Sequence, residues 1–388
     1  MTDKMLPIQD DAAAPDVLQQ RMAERMAQLQ EQGLLRQRTV YRAPVNFAAN
    51  DYLALASSPA LADAAMQALQ RGVGCGSGAS ALVSGYQSEH LALEQALCQH
   101  TGHEAALLFC SGFSANQALL KTLFQPGDTV LSDKLIHASV IDGAKDAGVT
   151  LRRFLHNDAD SATRLAAKHR PLALITESVF SMDGDCAPLM ALRQIADQQG
   201  AWLIVDDAHG FGTPVTFPDI GSQPCDARYA DIQLITFGKA MGCQGAALLG
   251  SQALIDFMVA NCRHYIYSTA LSPLAAATAL AALTLMQDHR LCQQLAENIT
   301  YFRQRCAHVG IALTASVTAI QPVIIGDSHR TLAIAQQLRG AGFAVGAIRP
   351  PTVPRGSARL RITLNAGHSQ AQIDAFITAL QQALAAHR

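Results

Sequence analysis

Trp202-Leu-Ile-Val205 followed by Asp206-Asp207-Ala208-His209 is the stretch on which the fold reading turns. A short unbroken apolar run reads as a strand buried on both faces, as in a parallel sheet. Two acids and a histidine at its C-terminal end then lie at the mouth of the sheet, where open α/β folds bind ligands. A buried carboxylate there needs a cationic partner. A helix cap accounts for Asp207 but less well for both acids.

Outward from this stretch the same texture repeats. Short apolar runs occur at Ala105–Cys110, Thr129–Leu131, Thr150–Phe154, Ala173–Thr176, Ile232–Thr236 and Ala246–Leu249. Helical patterns occupy 60–71, 88–101, 114–124, 160–169 and 188–199. This alternation predicts an α/β fold with a large, mainly parallel sheet covered on both faces. After an Ala-rich helix at 271–286 the pattern changes. A helix runs through 289–309, strands are expected at Ile311–Thr314, Ala319–Ile325, Ala344–Ile348 and Arg359–Leu364, and helices at 329–341 and from Gln370. That part reads as a smaller C-terminal α+β domain. At the other end, Leu18, Met22, Met26 and Leu29 mark a helix over 15–33, capped by Asp16 and ended by Gly33. A basic arm, Arg36 to Arg42, follows. The expected division is 1–48 for the N-terminal helix and arm, 49–286 for the large domain and 287–388 for the small one.

Composition bounds the function. The chain has 388 residues, 49% hydrophobic and 15% charged, which excludes disorder and collagen-like repeats. A net charge of −2 and 5% aromatic content give no footprint for nucleic acid or an anionic membrane. The nine cysteines are scattered without a CxxC pair, which fits a reducing cytosol better than disulfides or structural zinc. The acidic, proline-broken start, Met1 to Asp16, reads as neither signal nor transit peptide. The 271–286 run falls short of the roughly 20 residues a membrane span needs.

GxSxG, HExxH and GxxxxGK[ST] motifs do not occur. Gly72-Val-Gly-Cys-Gly-Ser-Gly78 follows a helical pattern rather than a strand and lacks the third glycine in register, so it reads as a close-approach loop near a site. His100 and His103 are expected to be surface histidines at a helix end rather than metal ligands; no metal is expected.

Three further features join Asp206. Leu234-Ile-Thr236-Phe-Gly-Lys239 is a strand ending in a lysine, which burial can convert into an amine nucleophile. Ala105 to Phe113 is a strand, a glycine turn and a helix start, whose free N–H groups suit an anion. Ser132 to His137 places an imidazole after another strand, where it can stack on a flat ring. A lysine amine, a carboxylate, a phosphate cradle and a stacking histidine together match pyridoxal 5′-phosphate (PLP).

Asn50-Asp-Tyr-Leu53, Leu82-Val-Ser-Gly85, Ser111-Gly-Phe113, His137-Ala-Ser139, Thr176-Glu-Ser-Val-Phe-Ser-Met-Asp-Gly184, Asp206-Asp-Ala-His209, Thr236-Phe-Gly-Lys239 and Arg359-Leu-Arg361 carry a resemblance. From about residue 35 to 385 the chain resembles the α-oxoamine synthases, PLP-dependent enzymes of the aspartate-aminotransferase fold (PLP fold type I). Ile266-Tyr-Ser-Thr269 and Arg349-Pro-Pro-Thr-Val-Pro354 look most like the family's biotin-pathway branch. The resemblance implies a decarboxylative condensation of L-alanine with a pimeloyl thioester, carried by coenzyme A or an acyl carrier protein, in a cytoplasmic homodimer. It implies that Lys239 binds the cofactor and transfers the proton, that Asp206 faces the pyridinium nitrogen, and that His137 stacks on the ring. His209 and Ser181 would frame the phenolic oxygen. Gly112, Phe113 and Thr236 would hold the phosphate, with Ser268 and Thr269 reaching the partner's cofactor. Arg361 would pair with the amino-acid carboxylate, and Thr352 and Arg36 would meet the acyl donor. Arg36, Arg38 and Arg42 would offer a carrier protein a basic patch. The run Gly78-Ala-Ser-Ala81 departs from the family pattern by lacking an arginine before Leu82. So does the less glycine-rich loop after His209.

Other readings carry different consequences. A glycine-using ligase, such as 2-amino-3-ketobutyrate ligase, or an α-aminoketone signal synthase would keep the mechanism. An aminotransferase would need a second carboxylate-binding arginine. A non-enzymatic binding module would not need Lys239 and Asp206 together.

Overall fold

The computed structural model describes residues 16–36, 38, 40 and 43–387. Strands are β1 (Val45–Phe47), β2 (Ala105–Phe109), β3 (Thr129–Asp133), β4 (Thr150–Phe154), β5 (Ala173–Glu177), β6 (Trp202–Asp206), β7 (Ile232–Thr236), β8 (Ala246–Gly250), β9 (Ile320–Gly326), β10 (Phe343–Ile348) and β11 (Ala358–Thr363). Strands β2 to β8 form one seven-stranded sheet, in the order β2-β8-β7-β6-β5-β3-β4. Only β8 runs against its neighbours, pairing antiparallel with both β2 and β7. Two reversals restore direction, so β2 ends at the same edge of the sheet as β5, β6 and β7.

Burial explains why these runs contain so few polar residues. β2, β5 and β8 are buried along their whole length. Side chains alternate between two cores, one on each face. Ala105, Leu107 and Phe109 enter one and Ala106 and Leu108 the other. Edge strand β4 instead exposes Arg152 and Arg153, charges that discourage edge-to-edge pairing.

The smaller sheet has the order β1-β10-β11-β9. β1 lies in the segment read from sequence as an arm, yet it pairs in parallel with β10. A three-residue strand leaves no periodic signal, so only its long-range partner defines it. Ile311–Thr314 is not a strand. Arg303 Nη1 donates to the carbonyls of Thr314 and Ser316, and the segment runs as irregular chain. Helices Ala138–Ala147 and Gln252–Asn261 were not anticipated. The first packs closely on its neighbour: a Cβ on Gly143 would lie 3.1 Å from Gln117 Cα.

The N-terminal helix is Val17–Glu31, capped by Asp16 as expected, but it buries no side chain. Leu18, Met22 and Met26 are exposed. Among the described residues, no helix is long and apolar enough to cross a membrane.

Candidate active site

The C-terminal ends of β2, β5, β6 and β7 open into a cavity of about 380 Å³. Gly112, Phe113, His137, Asp206, His209, Thr236 and Lys239 all line it, so the structure brings together seven of the residues singled out in the sequence. Asn50, Asn116, Ser139 and Glu177 line it as well and were given no role there.

The paired acids divide. Asp206 ends β6 in register with Glu177 on β5 and faces the cavity. Asn116 Nδ2 donates to its Oδ2 at 2.8 Å and the Ala208 N–H to its Oδ1 at 3.1 Å. Asn116 also donates to Ser139 Oγ at 3.0 Å. Asp207 is built into the fold instead. Ser178 Oγ donates to it, as does Gln233 Nε2 at 2.8 Å. Burial pushes its carboxyl up to about 7 against those two hydrogen bonds, with the Asp206 charge adding to the rise.

Lys239 sits three residues beyond β7, in a turn closed by the Gly242 N–H donating to its carbonyl at 2.9 Å. Gly242 has φ +62°, and a Cβ there would lie 2.3 Å from Ala56 N, so glycine is required. Burial lowers the ammonium to about 8, although Asp206 and Glu177 pull it up. About a tenth of Lys239 is therefore free amine at pH 7, far more than of an ordinary lysine.

His209 is driven well below its ordinary value by burial and by the charges of Lys239 and Arg361. Tyr52, its phenol raised by burial, meets Nδ1 at 2.5 Å. Glu177 is raised well above a normal carboxyl, first by burial and then by Asp206. Its Oε2 accepts the Ser181 N–H at 3.2 Å.

Two buried polar atoms of residues lining the cavity, Thr236 Oγ1 and Glu177 Oε1, have no protein partner, and neither has Arg361 Nη2 outside that lining. Unsatisfied buried groups are rare and ask for a ligand. Helix Gly112–Leu123 starts at the cavity, capped by Ser111, and aims its first N–H groups there. A Cβ on Gly112 would lie 2.5 Å from Thr236 Cγ2, so glycine lets the helix start and that threonine share one cradle. An anion beside Gly112 and Thr236, with a carboxylate and an amine further in, fits PLP.

The other candidates lie elsewhere. Arg361 is fixed by three bonds: Nε to Ser181 O at 2.6 Å, and Nη1 to Asn50 Oδ1 at 2.7 Å and to Thr363 Oγ1 at 2.9 Å. Ser181 thus contributes its backbone here and does not line the cavity. Ser268 and Thr269 line a separate hollow with Tyr86, His90 and Glu94; Cys110 borders both spaces. Thr352 is exposed, its N–H on Arg349 O at 3.1 Å. Arg36 is exposed beside Arg349, whose guanidinium is lowered by burial and by the Arg36 charge. Arg42 lies outside the described residues. Gly72–Gly78 does not line the cavity; its Gly74 carbonyl accepts the Leu274 N–H. His103 corrects the surface expectation. Gly102, at φ +73°, ends its helix and turns His103 inward, where it is buried, while His100 stays exposed.

Asn50, Tyr52 and Glu177 were legible only within the stretches that carry the resemblance. Asn116 had a weak signal, one helical turn beyond Gly112 on the same face.

Residues 42–380 match the family Aminotransferase class I and II. The 8-amino-7-oxononanoate synthase of Sodalis glossinidius is 48% identical over 345 residues, covering 87% of this chain and 88% of that protein. The enzyme of the same name from Yersinia enterocolitica is 45% identical over 341 residues, with the same coverages. Among solved structures, a serine palmitoyltransferase from S. paucimobilis carrying bound PLP with myriocin superposes with a TM-score of 0.85 at 26% identity, covering 96% of this chain and 99% of that one. The 8-amino-7-oxononanoate synthase of Francisella tularensis gives a TM-score of 0.74 at 27% identity, covering 88% and 98%. Fold, cavity and sequence agree: the chain belongs to the aminotransferase class I and II family, alongside the 8-amino-7-oxononanoate synthases.

Proposed function

We propose that this chain condenses L-alanine with a pimeloyl thioester, releasing the thiol carrier and CO2 and giving 8-amino-7-oxononanoate for biotin biosynthesis. The observation that carries it is Lys239, an amine lowered to about 8, in one cavity with Asp206. The chain around them is 48% identical to a synthase of that name.

PLP supplies an electron sink for the pair of electrons left at the alanine Cα. The protein does the rest. Lys239 binds the cofactor, then takes the Cα proton and returns one to the same carbon after CO2 leaves. Asp206, held in place by Asn116, would be the anion that pairs with the ring nitrogen. His137, which lines the cavity, would stack on the ring. His209, which lines the cavity, would face the phenolic oxygen; Ser181 serves through its carbonyl on Arg361. The helix start at Gly112 and Phe113 and the Thr236 hydroxyl take the phosphate. Arg361 offers its unpartnered Nη2 to the alanine carboxylate. Thr352 and Arg36 meet the acyl donor. Gly112→Ala overpacks the cradle, a change that costs roughly 1–3 kcal/mol. Titrating cofactor-free protein with PLP should show the Kd rising about tenfold.

A homodimer completes the site in this reading. Ser268 and Thr269 do not reach their own protomer's cavity, and the exposed Leu18, Met22 and Met26 are an apolar stripe for a second copy to cover. The nine free cysteines suit a reducing cytosol.

The test is an absorption titration of the holoenzyme with L-alanine, glycine and L-serine, before and after adding pimeloyl-CoA. L-Alanine should shift the cofactor band, and pimeloyl-CoA should then release free thiol and CO2. A response to glycine or L-serine in place of alanine moves the substrate. Alanine is separated from glycine by one methyl group, worth only about 1–3 kcal/mol. A protein that stays colourless after incubation with PLP overturns the assignment.

A further inference from the structure

The loop from Phe180 to Asp185 is held from two sides. On the large-sheet side stands His156, just beyond β4. Its Nδ1 meets Asp133 Oδ1 at 2.9 Å and its Nε2 meets Asp185 Oδ2 at 2.7 Å. The Asp133 side chain is fully buried at the end of β3 and also accepts the Leu135 and Asn157 N–H groups. Asn157 Nδ2 donates to the same Asp185 oxygen at 2.9 Å. The imidazole packs edge-on against Phe180, centroids 4.4 Å apart. Burial alone would keep this ring neutral, but the hydrogen bonds and charges of Asp133 and Asp185 overcome it and raise it to about 10. Both nitrogens therefore donate, and His156 bridges the acids as a cation.

On the small-sheet side the loop carries Arg361. The Ser181 carbonyl accepts Arg361 Nε at 2.6 Å, and Asp183 pairs with Arg359. The Gly184 carbonyl accepts from Ser316 Oγ at 2.8 Å and Thr318 Oγ1 at 2.9 Å. Within the loop, the Phe180 N–H donates to Asp185 O at 2.9 Å and the Gly184 N–H to Phe180 O at 2.8 Å. Six residues thus form one closed turn. A displacement at Asp185 reaches the Ser181 carbonyl, and with it the plane of the Arg361 fork.

We infer that His156 is a positioning residue for the amino-acid substrate: by clamping Asp185 to Asp133 it sets the Ser181 carbonyl that aims Arg361 at the substrate carboxylate. It does not line the cavity, so it acts through the loop and not by contact. The inference rests on the role proposed above for Arg361. Planar, bidentate recognition of a carboxylate loses strength when its fork is misdirected. A purely structural role, neutralising buried Asp133, would affect every ligand of the site alike.

The experiment compares wild type, His156→Gln, Asp185→Asn and Arg361→Lys as holoenzymes. Each is titrated, by the cofactor's absorption, with L-alanine and with ethylamine, which is alanine without its carboxylate. His156→Gln should weaken L-alanine binding about tenfold, a coupling normal for groups sharing one network, and leave ethylamine binding unchanged. Asp185→Asn should act in the same direction, and it carries the test if His156→Gln does not fold. Equal weakening of both ligands, or of neither, overturns the inference. Arg361→Lys separates the two levels. If it leaves L-alanine binding intact, the role of Arg361 itself fails; if it weakens L-alanine alone while the His156 and Asp185 variants do not, only the clamp fails.

Discussion

Lys239→Ala should lower turnover by at least about 10⁴-fold, the scale of loss when a group acting as nucleophile and base is removed. The geometry leaves no substitute, since Lys239 is the one amine among the described residues lining the cavity. Its effect depends on being unprotonated at working pH. Burial lowers its pKa to about 8 despite the opposing pull of Asp206 and Glu177, and an ordinary exposed lysine lacks that advantage. The neighbouring histidine is a poor replacement. His209 is neutral, but its Nδ1 is engaged by Tyr52 at 2.5 Å. Two measurements check this. Borohydride should fix PLP to the wild-type chain irreversibly, whereas in Lys239→Ala the cofactor should dialyse away after the same treatment. A variant that still retains borohydride-fixed cofactor would show that another residue forms the link.

Asp206→Asn should bind PLP but turn over about 10²–10³-fold more slowly, the range seen when one preorganised electrostatic partner is lost. Asparagine is nearly isosteric and can still accept from Asn116 Nδ2, so the cradle persists while the negative charge goes. Without it nothing holds a proton on the ring nitrogen, and the electron sink weakens. The substitution also has a consequence that needs no turnover. The Asp206 charge raises the Lys239 pKa, so its loss should carry that pKa below about 8. In cofactor-free protein, modification of Lys239 by an amine-directed reagent should then reach its plateau at lower pH than in wild type. The same charge raises Glu177, so that carboxyl should move down towards its ordinary range. Near-normal turnover would remove Asp206 from its role. An unchanged Lys239 titration would show that the two groups are not coupled as the cavity implies.

The superpositions and the sequence identities report different things. The serine palmitoyltransferase aligns over more of the chain and with a higher TM-score than the Francisella synthase, at nearly equal identity. A TM-score follows the disposition of sheets and helices, which the whole family shares. The 48% identity to the Sodalis synthase follows the side chains, and chemistry is placed by side chains. The substrate reading therefore leans on the sequence relatives, and the cofactor reading on both.

Legibility in the sequence varied with the range of the interaction. All seven runs read for the large sheet coincide with β2 to β8; the inner strands are apolar because they are buried on both faces, while edge strand β4 exposes Arg152 and Arg153. The helix cap at Asp16 and the stop at Gly33 were legible because capping is a local property. β1 was not: its three residues become a strand only by meeting Phe343–Val345, some 300 positions away. Ile311–Thr314 failed in the opposite direction, its carbonyl at Thr314 taken by Arg303.

At the site the same division holds. The sequence alone determined which chemical groups the protein owns: an amine after β7, paired acids after β6, a glycine-opened helix after β2 and a histidine after β3. Side-chain type and strand-end position are local properties, and the fold class follows from their alternation. The resemblance had already named Asp206 for the ring nitrogen; the physical reason came from the tertiary structure, in which Asp206 lines the cavity beside Glu177 while Asp207 is spent on Ser178 and Gln233. The tertiary structure alone decided that burial and neighbouring charges lower His209 and Lys239 and raise Glu177. Protonation in a cavity is set by desolvation and by charges brought near from distant parts of the chain, and neither exists until the chain has folded around them.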